Sequence, residues 1–245
     1  MTKRLRGPAI ALLAASPLLA GIIAARSGSS AGVTAAAKPI QLEEATMIVE
    51  LNSTDGDAGL QAFLDGEPWR SMSISSPDGR KLIGVRNSGR LKNFGLTELF
   101  TESNEPPFDE LPLRKFKRRF PEGKYRFSGK TIEGRRLLGK AKLSHDIPDG
   151  PKITSPTEGA AVPRNGAVAS WDPVPDGGGV RISGYRAIVE RENPLRVFEV
   201  ELPASVTSVT IPPEYLEPGA KHKIEVQAID RSGNQTISEL EFRVG

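Results

Sequence analysis

An all-β chain folded as two β-sandwich domains in tandem is what this sequence predicts, and three observations predict it. Apolar and polar residues alternate with a period of two over short segments, as in Met72 and Ile74 against Ser71 and Ser73, and in Ile224, Val226 and Ala228. Turn formers such as Asp65-Gly66, Pro77-Asp78-Gly79 and Glu133-Gly134 punctuate these runs. The 245 residues leave room, after a leader, for two domains of about 100 residues, each able to bury close to two thirds of its unfolded surface.

The first residues bear on compartment. Lys3, Arg4 and Arg6 precede an apolar run from about Ala9 to Ala25, followed by small residues up to Ala37. That is the layout of a secretory signal peptide, so residues 1–37 are expected to be a signal peptide and small-residue leader. The run is about seventeen residues long, and Ser16-Pro17 interrupts it; crossing a hydrocarbon core takes roughly twenty. Cleavage after Ala35-Ala36-Ala37 and cleavage near Ala25 both suit the pattern, and retention by an uncleaved N-terminal anchor is the alternative. The expected location is extracytoplasmic, secreted or periplasmic, with no spanning helix after removal of the leader. The absence of cysteine excludes a lipid-modified N-terminal cysteine and any disulfide framework.

The formal charge of +3 is mostly a property of the leader. Lys3, Arg4, Arg6 and Arg26 account for four of 33 basic residues and no acid accompanies them, so 29 bases face 30 acids in the remainder, net −1. Nucleic acid is therefore not an expected partner. The distribution is uneven. Residues 39–67 carry Glu43, Glu44, Glu50, Asp55, Asp57, Asp65 and Glu67 and no base; residues 111–145 are dominated by Lys and Arg. Either the two segments lie on neighbouring strands and pair with each other, or the basic segment forms a continuous face for an anionic partner, an acidic glycan or an envelope surface. The candidate residues for that face are Arg114, Lys115, Lys117, Arg118, Arg119, Arg135 and Arg136.

Residues 39–147 read as the first β-sandwich. Strands are expected at Thr46–Leu51 and Leu60–Leu64, a tight turn at Asp65-Gly66, and a strand from Trp69 to Ser75 with Trp69, Ser71 and Ser73 on one face. After Pro77-Asp78-Gly79 comes Lys81–Val85, and a hairpin of Lys124–Ser128 and Arg136–Leu143 closes the domain. Residues 96–120 read as irregular with one short helix. Residues 148–152, rich in proline, form a short, semi-stiff linker.

From about Gly150 to Gly245, Ser170-Trp171-Asp172-Pro173, Ile182-Ser183-Gly184-Tyr185 and Leu216-Glu217-Pro218-Gly219, in that order and followed by Ile224, Val226 and Ala228, resemble a fibronectin type III domain. The resemblance implies an immunoglobulin-like sandwich in which Trp171 fills the space between the sheets and Tyr185, Ala187 and Val189 point inward. It also implies a corner before the penultimate strand, where the family carries a tyrosine and this chain has His222, whose expected role is structural. Residues 230–234 resemble the family's last hairpin loop. No Arg-Gly-Asp occurs, so the integrin-binding role of some relatives is not carried over.

Enzyme chemistry has little to build on. With no cysteine and only His145 and His222, His/Cys metal centres are excluded, and Gly-x-Ser-x-Gly occurs only at residues 28–32, within the expected leader. Calcium is the one cofactor with a local signal, at Asp55 and Asp57 with Asp65 nearby, although turn chemistry explains Asp-Gly-Asp without a metal. The expectation is a non-enzymatic secreted or envelope-associated binding or spacer protein acting on a protein or an anionic surface. The alternative, a secreted carbohydrate-active hydrolase or its accessory module, rests on the company this family keeps; it calls for a flat row of exposed aromatics from Trp69, Phe94 and Tyr125.

Overall fold

One long strand organises the first half of the chain. The structure, a computed structural model, describes residues 38–192 and 194–245; the predicted leader lies outside the described residues. The first half contains β1 (Ile40–Gln41), β2 (Glu44–Asn52), β3 (Asp57–Ser75), β4 (Lys81–Arg86), β5 (Leu96–Glu102), α1 (Leu113–Arg119), β6 (Gly123–Thr131) and β7 (Arg136–Leu143). Along one edge of β3, β2 pairs with residues 57–65 and β6 with residues 69–75; along the other edge run β5 and then β4. β7 pairs with β6, and β1 lies parallel to β7. The two halves of β3 thus belong to two sheets. Between them Val49, Leu64, Trp69, Ile74, Tyr125, Phe127, Leu137 and Leu143 form a buried core.

Three expectations are corrected here. Asp65-Gly66 is not a turn: β3 runs through it, with a shift of register between Asp65 and Trp69. The glycine serves close approach instead, since a Cβ at Gly66 would lie 2.9 Å from the Leu42 side chain, and the Asp65 carbonyl accepts the Glu43 N–H at 2.9 Å. A second register shift, between Trp69 and Ser71, turns Trp69 away from the serine face into the core, where its indole N–H donates to the Thr97 carbonyl at 3.2 Å. Residues 96–102 are not irregular but form β5. It is an edge strand with no fully buried residue, so alternation leaves little trace in its sequence. The expected helix is α1. It buries Phe116, which meets Phe120 edge-on at 4.9 Å, packs Leu113 against the core, and exposes Arg114, Lys115, Arg118 and Arg119.

The second half contains β8 (Ile153–Ser155), β9 (Ala161–Val162), β10 (Val168–Trp171), β11 (Ile182–Arg191), β12 (Arg196–Pro203), β13 (Ser208–Thr210), β14 (Lys221–Asp230) and β15 (Gln235–Val244). A sheet ordered β13-β10-β8 faces one ordered β12-β11-β14-β15, with β9 added parallel to β15. This is an antiparallel two-sheet sandwich of the immunoglobulin-like kind. Trp171 packs between the sheets against Tyr185, ring centroids 5.5 Å apart, and the Tyr185 hydroxyl accepts the Val174 N–H at 2.8 Å. Ala187, Val189, Ile224, Val226 and Ala228 are buried on the inner face.

The halves share a sheet. The start of β15 pairs in parallel with the end of β2, Gln235 opposite Glu50, Thr236 opposite Leu51 and Ile237 opposite Asn52. Asn234, fully buried, fastens this seam. Its Oδ1 accepts the Val49 N–H at 2.8 Å, and its Nδ2 donates to the carbonyls of Ser144 and Asp146, each at 3.0 Å. The linker packs beside it, with Pro148 and Pro151 buried and the Pro148 carbonyl accepting the Thr236 hydroxyl at 2.6 Å.

Candidate anion-binding face

Alternation on β6 and β7 sends Tyr125, Phe127, Leu137, Ala141 and Leu143 inward, so the intervening residues face solvent. The register then sets Lys124 opposite Lys142, Arg126 opposite Lys140, and Lys130 opposite Arg136. Directly opposed like charges destabilise a sheet, since opposed Cβ atoms sit about 5 Å apart. Three such pairs, with only Ser128–Leu138 between the second and third, are a cost without a structural return. The face continues across β3 and β4: Ser71 lies between Lys130 and Arg86, and Ser75 between Arg126 and Lys81. Leu138, Ser128, Ser73 and Gly84, all uncharged, occupy the row between. Eight cations thus share one face, and among the described residues none of the eight enters an ion pair.

The seven basic residues singled out from sequence fall into two groups. Arg114, Lys115, Lys117, Arg118 and Arg119 sit on α1, which leads into the Lys124 end of β6, whereas Arg135 and Arg136 lie at the opposite end of the hairpin, about 20 Å away along the strands. The structure does not gather them into one site; the face of β6 and β7 spans the gap. Arg114, Lys117 and Arg118, with Leu113, Pro121, Glu122 and His145, line an open cleft of about 650 Å³. Glu122 tempers it, accepting the His145 backbone N–H at 2.7 Å, while the His145 ring Nε2 lies 2.9 Å from the Phe120 carbonyl. Among the described residues no ion pair joins Glu43, Glu44, Glu50, Asp55, Asp65 or Glu67 to residues 111–145. Acids oppose one another too, with Asp65 between Glu44 and Glu98.

Of the calcium candidates, Asp55 is exposed and Asp57 buried at the tip of the β2–β3 hairpin, and Asp65 lies eight residues along β3, about 26 Å further on. The three are not brought together. Turn chemistry accounts for the tip, where Asn52 Oδ1 accepts the N–H groups of Thr54 and Asp55 and Gly56 adopts φ +70°. An unforeseen carboxylate group lies beside the seam: ligand oxygens of Glu50, Glu102 and Glu105 fall within 4.8 Å of one another. Burial pushes the Glu50 carboxyl up to about 7, against the hydrogen bond from Gln235, with the Glu102 charge adding to the rise. Only the register of β2, β3 and β5 reveals this group, since Glu50 is some fifty residues away in sequence from Glu102 and Glu105.

His222 is buried where the corner tyrosine was expected. Its Nε2 accepts the Glu217 N–H at 3.3 Å, its Nδ1 lies 3.3 Å from the Ala220 carbonyl, and the ring stacks on Phe242. Burial holds its pKa below the usual imidazole value, opposed by the Ala220 and Tyr215 carbonyls. The imidazole thus ties the corner to backbone as the family's hydroxyl does. The aromatic row does not form, because Trp69 and Tyr125 are fully buried and only Phe94, 77% exposed, reaches solvent.

No family model matches the chain, and no curated protein matches it. Among solved structures, it is similar to the FN1–FN3 domains of chicken CNTN1, with TM-score 0.31 and 11% identity over 84% of this chain and 65% of that one. A two-domain fibronectin type III segment from chicken tenascin gives TM-score 0.30 and 13% identity over 82% of this chain and 98% of that one. A tetra-tandem repeat in the extending region of a large adhesion protein gives 0.28 and 14% over 81% and 48%. The chain therefore spans 65% of the CNTN1 segment's length. By its own strand order, its inward Trp171 and Tyr185 and its corner at Leu216–His222, the second half of the chain has a fibronectin type III-like fold.

Proposed function

We propose that this protein is a non-enzymatic, extracytoplasmic binding protein that docks through the cationic face of β4, β3, β6 and β7 onto an anionic surface of the cell envelope. The fibronectin type III-like half holds that face in a fixed orientation. One observation carries the reading: three of the four cross-strand pairs on the outer face of β6 and β7 are of like charge, Lys124–Lys142, Arg126–Lys140 and Lys130–Arg136, interrupted by Ser128–Leu138 and with no acid among them. Such repulsion persists when a ligand relieves it. The remainder of the chain beyond the leader is nearly neutral, so the attraction comes from placement and not from net charge. The alternative, a module serving polysaccharide hydrolysis, loses its stacking platform with Trp69 and Tyr125 in the core.

Heparin serves as a soluble polyanion to test this. Each cation near an anionic surface contributes about 1 kcal/mol, so Lys124→Gln, Arg126→Gln and Lys140→Gln together should weaken binding on the order of a hundredfold. Binding should also fall steeply with salt, because exposed charges are screened within about 10 Å at 0.1 M. Affinity unchanged in the triple variant, or a saturable hydrolytic activity of the pure protein on glycans, overturns the reading.

A further inference from the structure

We infer that the anionic surface is a lipid bilayer, met by the cationic face and entered by the loop between β4 and β5 through Leu91 and Phe94. This rests on the proposed function and names its partner. The loop reads Arg90-Leu91-Lys92-Asn93-Phe94, and its two apolar side chains are 51% and 77% exposed. They touch no core. Arg90 and Lys92 flank Leu91, and Lys92 lies two residues before Phe94, the composition of a segment that sits at the boundary between headgroups and acyl chains. A ligand bound by charge alone, such as an acidic glycan, gives no reason to hold a phenylalanine in water.

The loop is built to present them. Its base is fixed, with Asn87 donating from Nδ2 to the Trp69 carbonyl at 2.6 Å and from its backbone N–H to the Arg70 carbonyl at 2.8 Å. At the other end Gly95, at φ +82°, is packed so closely that a Cβ there would lie 3.0 Å from Pro68 and 3.1 Å from Ile132. Between these anchors a short 3-10 turn over Gly89–Asn93 buries nothing. It is closed by the Phe94 and Gly95 N–H groups donating to the Leu91 carbonyl.

Position joins the loop to the cationic face. It leaves β4 just after Arg86, the last member of the row that runs through Ser71 and Lys130 to Arg136. Apolar tip and charged row therefore lie at the same end of one sheet. The row between the cations, Leu138, Ser128, Ser73 and Gly84, carries no charge and mostly small side chains, which suits a lipid surface better than a shaped ligand. The outer face of the second sandwich has the opposite character, with Lys223 set among Glu190, Glu225 and Glu239. An anionic membrane would attract the first half of the molecule and repel the second, giving one docked orientation.

The test compares vesicles of phosphatidylglycerol mixed with phosphatidylcholine, vesicles of phosphatidylcholine alone, and soluble heparin. Leu91→Ala with Phe94→Ala should weaken binding to the anionic vesicles about tenfold or more, since two large apolar side chains no longer enter lipid, and should leave heparin binding unchanged. Both residues are exposed, so the variant folds, and comparison within one chain cancels any contribution from residues 1–37. Phe94→Trp should show blue-shifted emission on anionic vesicles and none on phosphatidylcholine. Equal vesicle binding by wild type and the alanine variant, or no spectral shift, overturns the inference. Heparin binding without vesicle binding overturns the inference and leaves the proposed function standing; binding to neither overturns both. Salt-sensitive self-association in sedimentation velocity, abolished by the Gln triple variant, would assign the face to a second copy of the chain and overturn the inference.

Discussion

Asn234→Ala tests the seam. The amide of Asn234 satisfies the Val49 N–H at 2.8 Å and the carbonyls of Ser144 and Asp146 at 3.0 Å, and it also reaches the Ser144 hydroxyl at 3.2 Å. The residue has no solvent exposure and Ser144 is buried, so truncation strands one donor and two acceptors and opens a small void. Each stranded buried group costs about 1–3 kcal/mol. With partial rescue by an entering water, the sum is about 3–5 kcal/mol. At roughly 2–4 °C per kcal/mol for a chain of this size, thermal unfolding should fall by about 10 °C. The assay is calorimetric or circular-dichroism melting of wild type, Asn234→Ala and Asn234→Asp. The aspartate keeps the acceptor for Val49 but turns a carboxylate on the two carbonyls, so it should be at least as damaging as alanine. If Asn234→Ala melts within about 2 °C of wild type, the seam is not what holds the two halves together.

Two further predictions concern pH. The Glu50 carboxyl is raised from 4.5 to about 7 in the fold, so its protonated form is favoured there; its contribution is fully present below about pH 4.5 and is lost as pH rises through 7. Glu50→Gln should remove that decline, on the order of 3 kcal/mol, in denaturant titrations across this window; an unchanged slope refutes the assignment. For His222 the sign is opposite. Its pKa lies below 6.5 in the fold, so its contribution is present above 6.5 and is lost as pH falls toward the depressed folded value. His222→Gln should flatten that acid limb, and an identical acid limb in the variant would place the titration elsewhere.

What the sequence disclosed depended on how local each signal was. The β6–β7 hairpin was legible because Tyr125, Phe127, Leu137 and Leu143 are buried and most of their neighbours along the strands are Lys or Arg. The second sandwich was legible because Trp171, Tyr185 and the Leu216–Gly219 corner keep their order. β5 was not, since an edge strand with Leu96 and Leu99 only half-buried carries no clean period. The course of β3 was misread at Gly66, where glycine admits the side chain of Leu42 and makes no turn. The basic segment was visible as a block, yet its face was not, because opposition of Lys124 to Lys142 or Arg126 to Lys140 is a property of register. Least visible was the seam: Asn234 and Gln235 look like ordinary loop polar residues until Val49 and Glu50, 185 positions away, supply their partners.

The parallel pairing of β15 with β2 also bears on mechanics. The chain enters β2 at its amino-terminal end and leaves β15 at its carboxyl-terminal end. Tension between the two ends of the described chain therefore drags these adjacent strands in opposite directions along their length. Bonds loaded in shear share the force and rupture together, whereas bonds peeled from one end fail singly. Pulled in this way, the protein resists at the junction itself, before the short proline-rich connector between its halves bears any strain.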